Sequence, residues 1–233
     1  MRIFILALFA LGCSGASNAS DAPADPATTG MQDMAMEMST APDGVPASAK
    51  SLVVAGGCFW CVESDFEHRD DVYEAVSGYA GGEKRDATYK NHDGHREVVE
   101  VWYDPEATSY GELVRFFLRT IDVTDAGGQF CDRGHSYTTA LHYRTPEEKA
   151  EAEAAISEAE DALGRKVVTP VEPLPFFVTA EDYHQDYYKS DDRILSRFGY
   201  VEKQDAYKGY REGCGRDKRV RAVWGDAAAI PAH

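Results

Sequence analysis

The sequence predicts an α+β domain, in which a mixed β-sheet packs against helices as a two-layer sandwich. Short apolar or alternating runs typical of strands are interspersed with longer amphipathic segments typical of helices. The two types do not alternate strictly, which disfavours a doubly wound parallel sheet. No internal repeat is present. We expect this domain to span residues 51–233.

The first half of the domain begins with a strand at residues 52–55, a short apolar run typical of a buried strand. Two glycines follow, and apolar side chains then recur at helical spacing, which predicts a tight turn leading into a helix. Another strand is predicted within residues 71–79. Residues 97–103 alternate in polarity and predict a further strand.

The second half contains two predicted helices. Residues 109–112 form a capping box that opens the first of them. A loop at residues 127–134 and a strand at residues 137–143 come next. The second helix covers residues 145–164, with Pro near its start and Gly at its end. Residues 167–171 predict a last strand at a sheet edge, where Pro is tolerated.

Composition excludes several classes of protein. The chain has 24 Lys and Arg against 40 Asp and Glu, for a formal charge of −16, which disfavours nucleic-acid binding. Its cysteines are too few and too irregular for a disulfide-stapled mini-fold, and no Cys/His set has zinc-finger spacing. We therefore expect no metal site in the folded domain. The cysteines are Cys13, Cys58, Cys61, Cys131 and Cys214.

The N-terminus predicts export. Residues 1–12 have the charged start and short apolar core of a signal peptide, and residues 10–13 resemble a bacterial lipobox. Acylation of Cys13 would make the protein a periplasmic or cell-surface lipoprotein anchored to a membrane, and Ser14 is compatible with the outer membrane. A plain signal peptide cleaved near Ala19 is the alternative.

Residues 13–50 predict a disordered tether, because their Ala, Ser, Thr, Pro and Asp residues cannot bury a core. A methionine cluster lies within residues 31–38. It could bind a soft metal, or it could be a neutral feature of an unstructured segment. A metal-binding lipoprotein would leave the folded domain unexplained.

Cys58 is the candidate nucleophile. It lies in the first turn of the predicted helix, where unpaired amides and the helix dipole lower a thiol pKa and favour thiolate. Phe59 and Trp60 offer apolar walls for a small ligand. The structural alternative is a buried cysteine in a tightly packed turn.

Several short motifs in this order resemble the A-type peptide methionine sulfoxide reductases. The resemblance covers the whole predicted domain and implies a ferredoxin-like sandwich without a bound cofactor. It also implies reduction of the S epimer of methionine sulfoxide, free or in oxidised proteins, with a thioredoxin-type protein or dithiol as reductant. The motifs are Gly57-Cys58-Phe59-Trp60, Gly78-Tyr79-x-Gly81-Gly82, Gly94-His95-x-Glu97, Asp132-x-Gly134-x-x-Tyr137 and Glu181-Asp182-Tyr183-His184-Gln185.

The chemistry of sulfoxide reduction assigns roles to these residues. A thiolate, Cys58, attacks sulfur while an acid, Glu97, protonates the oxygen, and partial burial would keep that carboxyl protonated. Tyr79 and Tyr137 can donate hydrogen bonds to the sulfoxide oxygen. The remaining assignments are Phe59 and Trp60 against the S-methyl group, Asp132 orienting the pocket, and His184 as a pocket residue.

Turnover leaves a sulfenic acid on Cys58, which a second thiol must resolve to a disulfide. The sequence departs from the usual family pattern at Cys61, Cys131 and Thr138, where Gly, Asn and Arg are common. We expect Cys214 to resolve Cys58, because its glycine flanks predict a mobile tail. Cys131 and Cys61 are the alternatives.

The Cys58-x-x-Cys61 spacing also allows another enzyme class, an exported thioredoxin-like disulfide oxidoreductase. Thr169-Pro170 could then be the cis-proline site of such a fold. The Trp that usually precedes the first Cys of a thioredoxin motif is missing here. The substitution Glu97→Ala separates the two classes, because a dithiol exchanger does not need that carboxyl.

Overall fold

The computed structural model describes residues 39–231, and most of its helices and strands belong to one sheet and the layer packed on it. The strands are β1 (Lys50–Gly56), β2 (Val72–Ala80), β3 (Arg96–Tyr103), β4 (Gly128–Gln129), β5 (Asp132–Arg133), β6 (Thr139–Tyr143), β7 (Val171–Pro173), β8 (Val178–Thr179), β9 (Arg193–Ser196) and β10 (Gly199–Glu202). The helices are α1 (Phe59–Glu67), α2 (Tyr110–Leu118), α3 (Pro146–Leu163), α4 (Lys203–Gly213) and α5 (Arg216–Trp224).

The main sheet is mixed and has the strand order β7-β6-β1-β3-β2-β8. Only the β6–β7 pair is parallel, and the other neighbours are antiparallel. In chain order, β1, α1, β2, β3, α2 and β6 form the βαββαβ arrangement of a ferredoxin-like sandwich. The predicted fold class is therefore confirmed.

Strand β1 lies at the centre of the sheet and is buried on both faces. Leu52 and Val54 pack into the large core between the sheet and the helices. Val53 and Ala55 pack on the opposite face, where Leu174 and its neighbours cover them. Because both faces are covered, the strand is continuously apolar instead of alternating.

Local signals in the sequence correctly mark the helix ends. The Ser109 side chain accepts from the Glu112 amide, and the Glu112 carboxylate accepts from the Ser109 amide, so the capping box at α2 is complete. Helix α3 begins after Thr145, whose side chain accepts from the Glu148 amide. It ends at Gly164, whose φ of +62° is left-handed.

The predicted position of the last strand, residues 167–171, is wrong. The Val167 amide donates to the Glu160 side chain and the Val168 amide to the Val123 carbonyl, so neither joins a ladder. The edge strand is β7, which begins at Val171, and further short strands follow it. Strand β6 also begins later than predicted, at Thr139.

The structure gives the C-terminal segment a different form from the mobile tail predicted by the sequence. A β9–β10 hairpin is followed by α4 and α5. Cys214 follows the last residue of α4, and Gly215, with a φ of +68°, turns the chain into α5. Cys214 is bonded to Cys131 and does not lie on a free tail.

The N-terminal predictions fall largely outside the described residues. These include the signal peptide, Cys13 and the methionine cluster. The last part of the predicted tether, residues 39–49, is described and contains two turns, closed by the Val45 amide on Pro42 and the Ala49 amide on Pro46. Among residues 39–231, no helix has the length and apolar composition needed to cross a membrane.

Candidate active site

Cys58 lies between β1 and α1, at the turn predicted from the sequence. It is the residue before the first helical residue, and only 7% of its surface is exposed. The preceding Gly57 has a φ of +87°, and a Cβ on it would lie 2.6 Å from the Gln129 Cβ. Only glycine fits there, and this tight approach fixes the direction in which the chain enters α1.

Glu97 lies on the neighbouring strand β3 and is 2% exposed. The Phe59 amide, at the start of α1, donates to its Oε2 over 3.1 Å. Burial raises the pKa of Glu97 to about 8, and the negative charge of Asp132 adds to the effect. At neutral pH the carboxyl is therefore mostly protonated and has a proton to give.

The thiol of Cys58 behaves differently from the sequence-based expectation. Burial, a hydrogen bond to Cys61 and the charges of Cys61, Glu97 and Asp132 raise the pKa of Cys58. The helix amide that was expected to face its sulfur donates to Glu97 instead. The predicted lowering of the Cys58 pKa is therefore wrong.

Cys61 carries the more acidic thiol of this pair. Burial raises the pKa of Cys61, but the hydrogen bond from Cys58 and the positive charges of Arg216 and Arg211 lower it below the usual cysteine value. Both cysteines are free thiols and both are buried. Cys58 donates its S–H to the Cys61 sulfur, and of the two groups Cys61 loses its proton more readily.

The positive charge beside Cys61 comes from the C-terminal helices. The Arg216 guanidinium donates to the Gly56 carbonyl over 3.1 Å and to Asp65 over 3.2 Å, and the residue is 1% exposed. Arg211 contacts the other oxygen of Asp65 at 2.8 Å. Both guanidiniums are thus held near Cys61, which lies one helical turn before Asp65.

Aromatic side chains form the wall beside Cys58. Trp60 stacks on Tyr187, with ring centroids 3.8 Å apart and an interplanar angle of 9°, and meets the edge of Tyr210 at 6.3 Å. The Trp60 Nε1 donates to His184 Nδ1 over 3.2 Å. Burial lowers the pKa of His184 to about 4, so the ring is neutral and accepts this bond while carrying its proton on Nε2.

Tyr137 and Tyr89 face Glu97 and Cys58. Burial and the nearby charge of Glu97 raise the pKa values of both phenols, and the two side chains hydrogen-bond each other. Their hydroxyls are therefore neutral donors beside the nucleophile. Sequence reasoning identified Tyr137 but missed Tyr89, which lies in the loop after the glycine pair at residues 81–82 and precedes the Gly94 motif.

The structure gives Tyr79 a supporting position. Its hydroxyl donates to Glu181 Oε2 over 3.1 Å, and the backbone amide of Tyr89 donates to Glu181 Oε1 over 3.1 Å. Tyr79 thus helps to hold the carboxylate that fixes the Tyr89 loop. Tyr89 is a second candidate for the sulfoxide-donor role predicted for Tyr79, because the charges of both Glu97 and Cys58 act on its phenol.

Asp132 and the two remaining cysteines form one rim of the site. Asp132 is half-buried, and the hydroxyl of Tyr210 donates to its Oδ2. Burial raises the pKa of Asp132. The preceding residue, Cys131, forms a disulfide with Cys214, with the two Cα atoms 5.1 Å apart.

One group of carboxylates in the described residues has the spacing of a metal site. Oxygens of Glu63, Glu67 and Asp186 lie within 4.8 Å of one another. The ammonium of Lys189 lies 2.6 Å from Glu67 and 2.8 Å from Asp186, so a cation of the chain itself already pairs with two of the three carboxyl groups.

Comparisons of the sequence with family models and with named proteins agree on one family. A family model described as "Peptide methionine sulfoxide reductase" matches residues 50–221. A Rhizobium meliloti (strain 1021) protein named peptide methionine sulfoxide reductase MsrA 2 is 48% identical over 184 residues, which are 78% of this chain and 87% of that protein.

Solved structures also resemble the chain. The reduced form of Mxr1 from Saccharomyces cerevisiae matches with a TM-score of 0.59 and 31% identity, covering 67% of this chain and 94% of that one. Methionine sulfoxide reductase A of Corynebacterium diphtheriae matches with a TM-score of 0.58 and 26% identity, covering 61% and 74%.

Proposed function

The chain belongs to the peptide methionine sulfoxide reductase family and is an oxidoreductase of the A type, and we propose that Cys58 and Glu97 are its reacting groups. One observation carries this assignment. The residue after the nucleophile, Phe59, holds the Glu97 carboxyl through its backbone amide at 3.1 Å, and burial keeps that carboxyl protonated. A buried thiol and a protonated acid at one point are what sulfoxide reduction requires.

In the first step, Cys58 sulfur attacks the sulfoxide sulfur, and the Cys58 proton replaces the one that Glu97 gives to the sulfoxide oxygen. Glu97 protonates the sulfoxide oxygen, and the hydroxyls of Tyr89 and Tyr137 donate to it. The oxygen is transferred to Cys58, so that the sulfide leaves and a sulfenic acid remains. The substrate sulfur gains two electrons and Cys58 loses two. Phe59 and Trp60 enclose the S-methyl group.

In the second step, Cys61 sulfur attacks the Cys58 sulfenic acid, which gives a Cys58–Cys61 disulfide and water. Cys61 is favoured because it hydrogen-bonds Cys58, whereas Cys214 and Cys131 are bonded to each other. This replaces the sequence-based preference for Cys214. A thioredoxin-type dithiol then reduces the disulfide and is itself oxidised.

The alternative of a thioredoxin-like disulfide oxidoreductase is not favoured. The Cys58-x-x-Cys61 pair lies on a βαββαβ sandwich that the reductase family model matches over residues 50–221. The buried acid and the tyrosine pair beside Cys58 supply the proton and the hydrogen bonds that sulfoxide reduction requires.

Natural substrates and location follow from the same proposal. We expect the S epimer of methionine sulfoxide, free or in oxidised proteins, to be the substrate. The sequence of residues 1–13 supports export and acylation of Cys13, which would anchor the enzyme to a membrane outside the cytoplasm. Mass spectrometry of the mature N-terminus tests this. A start near Ser20 without an acyl group would reject the anchor.

The decisive assay resolves the two epimers of a methionine sulfoxide peptide with dithiothreitol as reductant. We expect the S epimer to be consumed and the R epimer to remain. Equal consumption of both epimers, or activity that survives Cys58→Ser, would contradict the assignment.

A further inference from the structure

The Cys131–Cys214 disulfide and a side-chain hydrogen bond join the same two segments. Cys131 immediately precedes Asp132 in β5, and Cys214 follows Tyr210 by one helical turn of α4. The Tyr210 hydroxyl donates to Asp132 Oδ2. The disulfide thus cross-links the loop and the helix directly beside the place where their side chains meet.

The helix that the disulfide holds is part of the active site. Tyr210 borders Trp60 at 6.3 Å, and Trp60 is a wall of the pocket at Cys58. Asp132 is close enough to Cys58 for its charge to raise the pKa of that thiol. Two residues beyond Cys214, Arg216 reaches the Gly56 carbonyl behind the nucleophile. One segment therefore supplies a pocket wall and the charge beside Cys61.

Among the described residues, few other interactions join the loop that carries Asp132 to helices α4 and α5. Cys131, Arg133 and Gly134 are exposed. Arg133 forms an ion pair with Asp125, and its side chain is 53% exposed, so the pair contributes little. Phe130 contacts the Arg216 guanidinium at 4.7 Å from the ring centroid. The covalent bond is the strongest link between this loop and α4.

We propose that the Cys131–Cys214 disulfide is a clasp, which positions Asp132 and Tyr210 over Cys58 and remains oxidised during turnover. This inference rests on the proposed function. Reducing equivalents then enter at Cys58–Cys61 and do not pass through Cys214. A clasp of this kind suits an oxidising compartment, where an exposed disulfide persists.

The first test is a single turnover of wild-type enzyme without reductant, followed by disulfide mapping of its peptides. The enzyme is purified without reductant and supplied with excess S-sulfoxide peptide. We expect about one equivalent of sulfide, a new Cys58–Cys61 disulfide and an unchanged Cys131–Cys214 disulfide, following the proposed stoichiometry. A peptide linking Cys58 to Cys214 or Cys131 would overturn the proposal.

The second test removes the clasp with the double variant Cys131→Ser, Cys214→Ser. We expect KM for the sulfoxide to rise about tenfold, with kcat changed less than about twofold, because each 1.4 kcal/mol of lost binding is tenfold in affinity. Recycling by thioredoxin should persist. An unchanged KM overturns the proposal, whether or not the melting temperature falls, and so does a loss of recycling.

A variant that keeps the disulfide tests the same proposal even if the double variant misfolds. Tyr210→Phe removes only the hydroxyl that donates to Asp132. We expect a KM increase in the same direction with an unchanged circular dichroism spectrum. An unchanged KM in Tyr210→Phe would contradict the positioning role. If only the clasp proposal is wrong, the wild-type enzyme still reduces the sulfoxide. If the proposed function is wrong, the wild-type enzyme forms no sulfide. The two failures are therefore distinguishable.

Discussion

The backbone amide of Phe59 donates a hydrogen bond of 3.1 Å to Oε2 of Glu97. This bond joins the first residue of α1 to strand β3 and sets the carboxyl beside Cys58. A protonated carboxyl can accept this bond on one oxygen and donate its own proton from the other. The residue that follows the nucleophile therefore orients the acid.

The first prediction concerns Glu97→Gln. The variant keeps the acceptor for the Phe59 amide but cannot transfer a proton, so we expect kcat to fall by about 10²-fold or more. Because the protonated form is active and the pKa is about 8, wild-type activity should fall as pH rises through 8. Stopped-time assays across pH 6–10 give both results.

The control for this experiment is Glu106→Gln, which alters an exposed carboxyl and should leave the profile unchanged. In Glu97→Gln, the activity that remains should not fall as pH rises through 8, in contrast to that of the wild-type enzyme. A retained decline in Glu97→Gln would mean that another group supplies the proton.

The second prediction separates the candidate resolving thiols. Cys61→Ser should release one equivalent of sulfide and then stop with Cys58 as a sulfenic acid, because the neighbouring thiol is gone. Cys214→Ser should continue through multiple turnovers with thioredoxin. Trapping of the sulfenic acid and peptide mass spectrometry provide the measurement, and Cys58→Ser should yield no sulfide at all.

The reverse pattern would restore the preference that the sequence suggested. If Cys214→Ser stops after one equivalent while Cys61→Ser recycles, the C-terminal cysteine resolves Cys58. The enzyme would then have to open the Cys131–Cys214 bond during each cycle.

The third prediction compares two tyrosines that the sequence and the structure assign differently. Tyr89→Phe should lower kcat/KM by about tenfold, because it removes a hydrogen-bond donor beside Glu97 and Cys58. Tyr79→Phe loses only the bond to Glu181 and should have a smaller effect. Steady-state kinetics on a free sulfoxide substrate measures kcat/KM for both variants. A larger loss of kcat/KM in Tyr79→Phe than in Tyr89→Phe would favour the sequence-based assignment.

The fold was predictable because its signals are local. The apolar run at residues 52–55 and the Ser109 capping box each specify their element from neighbouring residues alone. Helices α4 and α5 were missed because their buried faces include Lys203, Arg211 and Arg216. Arg211 and Arg216 both pair with Asp65, which lies far away in sequence, so no hydropathy pattern shows their burial.

The electrostatics of the site were missed for the same reason. The helix-start argument for Cys58 uses only adjacent residues. Glu97, which accepts the hydrogen bond of the Phe59 amide, lies 38 residues away from Phe59 in sequence. Tyr79 was chosen over Tyr89 because it belongs to a recognisable glycine motif. The sequence does not give side-chain direction, and that direction decides which phenol faces the nucleophile.

The last prediction concerns Arg216, whose charge lowers the pKa of Cys61. Arg216→Lys keeps the charge but loses the fork that reaches both Gly56 and Asp65, so the ammonium shifts and stabilises the thiolate less. We expect the pKa of Cys61 to rise and its alkylation at neutral pH to slow by severalfold, with recovery as pH increases. Iodoacetamide labelling followed by peptide mass spectrometry measures this. Arg219→Lys, on the same helix but 50% exposed and paired with Asp122, is the matched control. Equal labelling rates in both variants and the wild type would show that Arg216 does not act on Cys61.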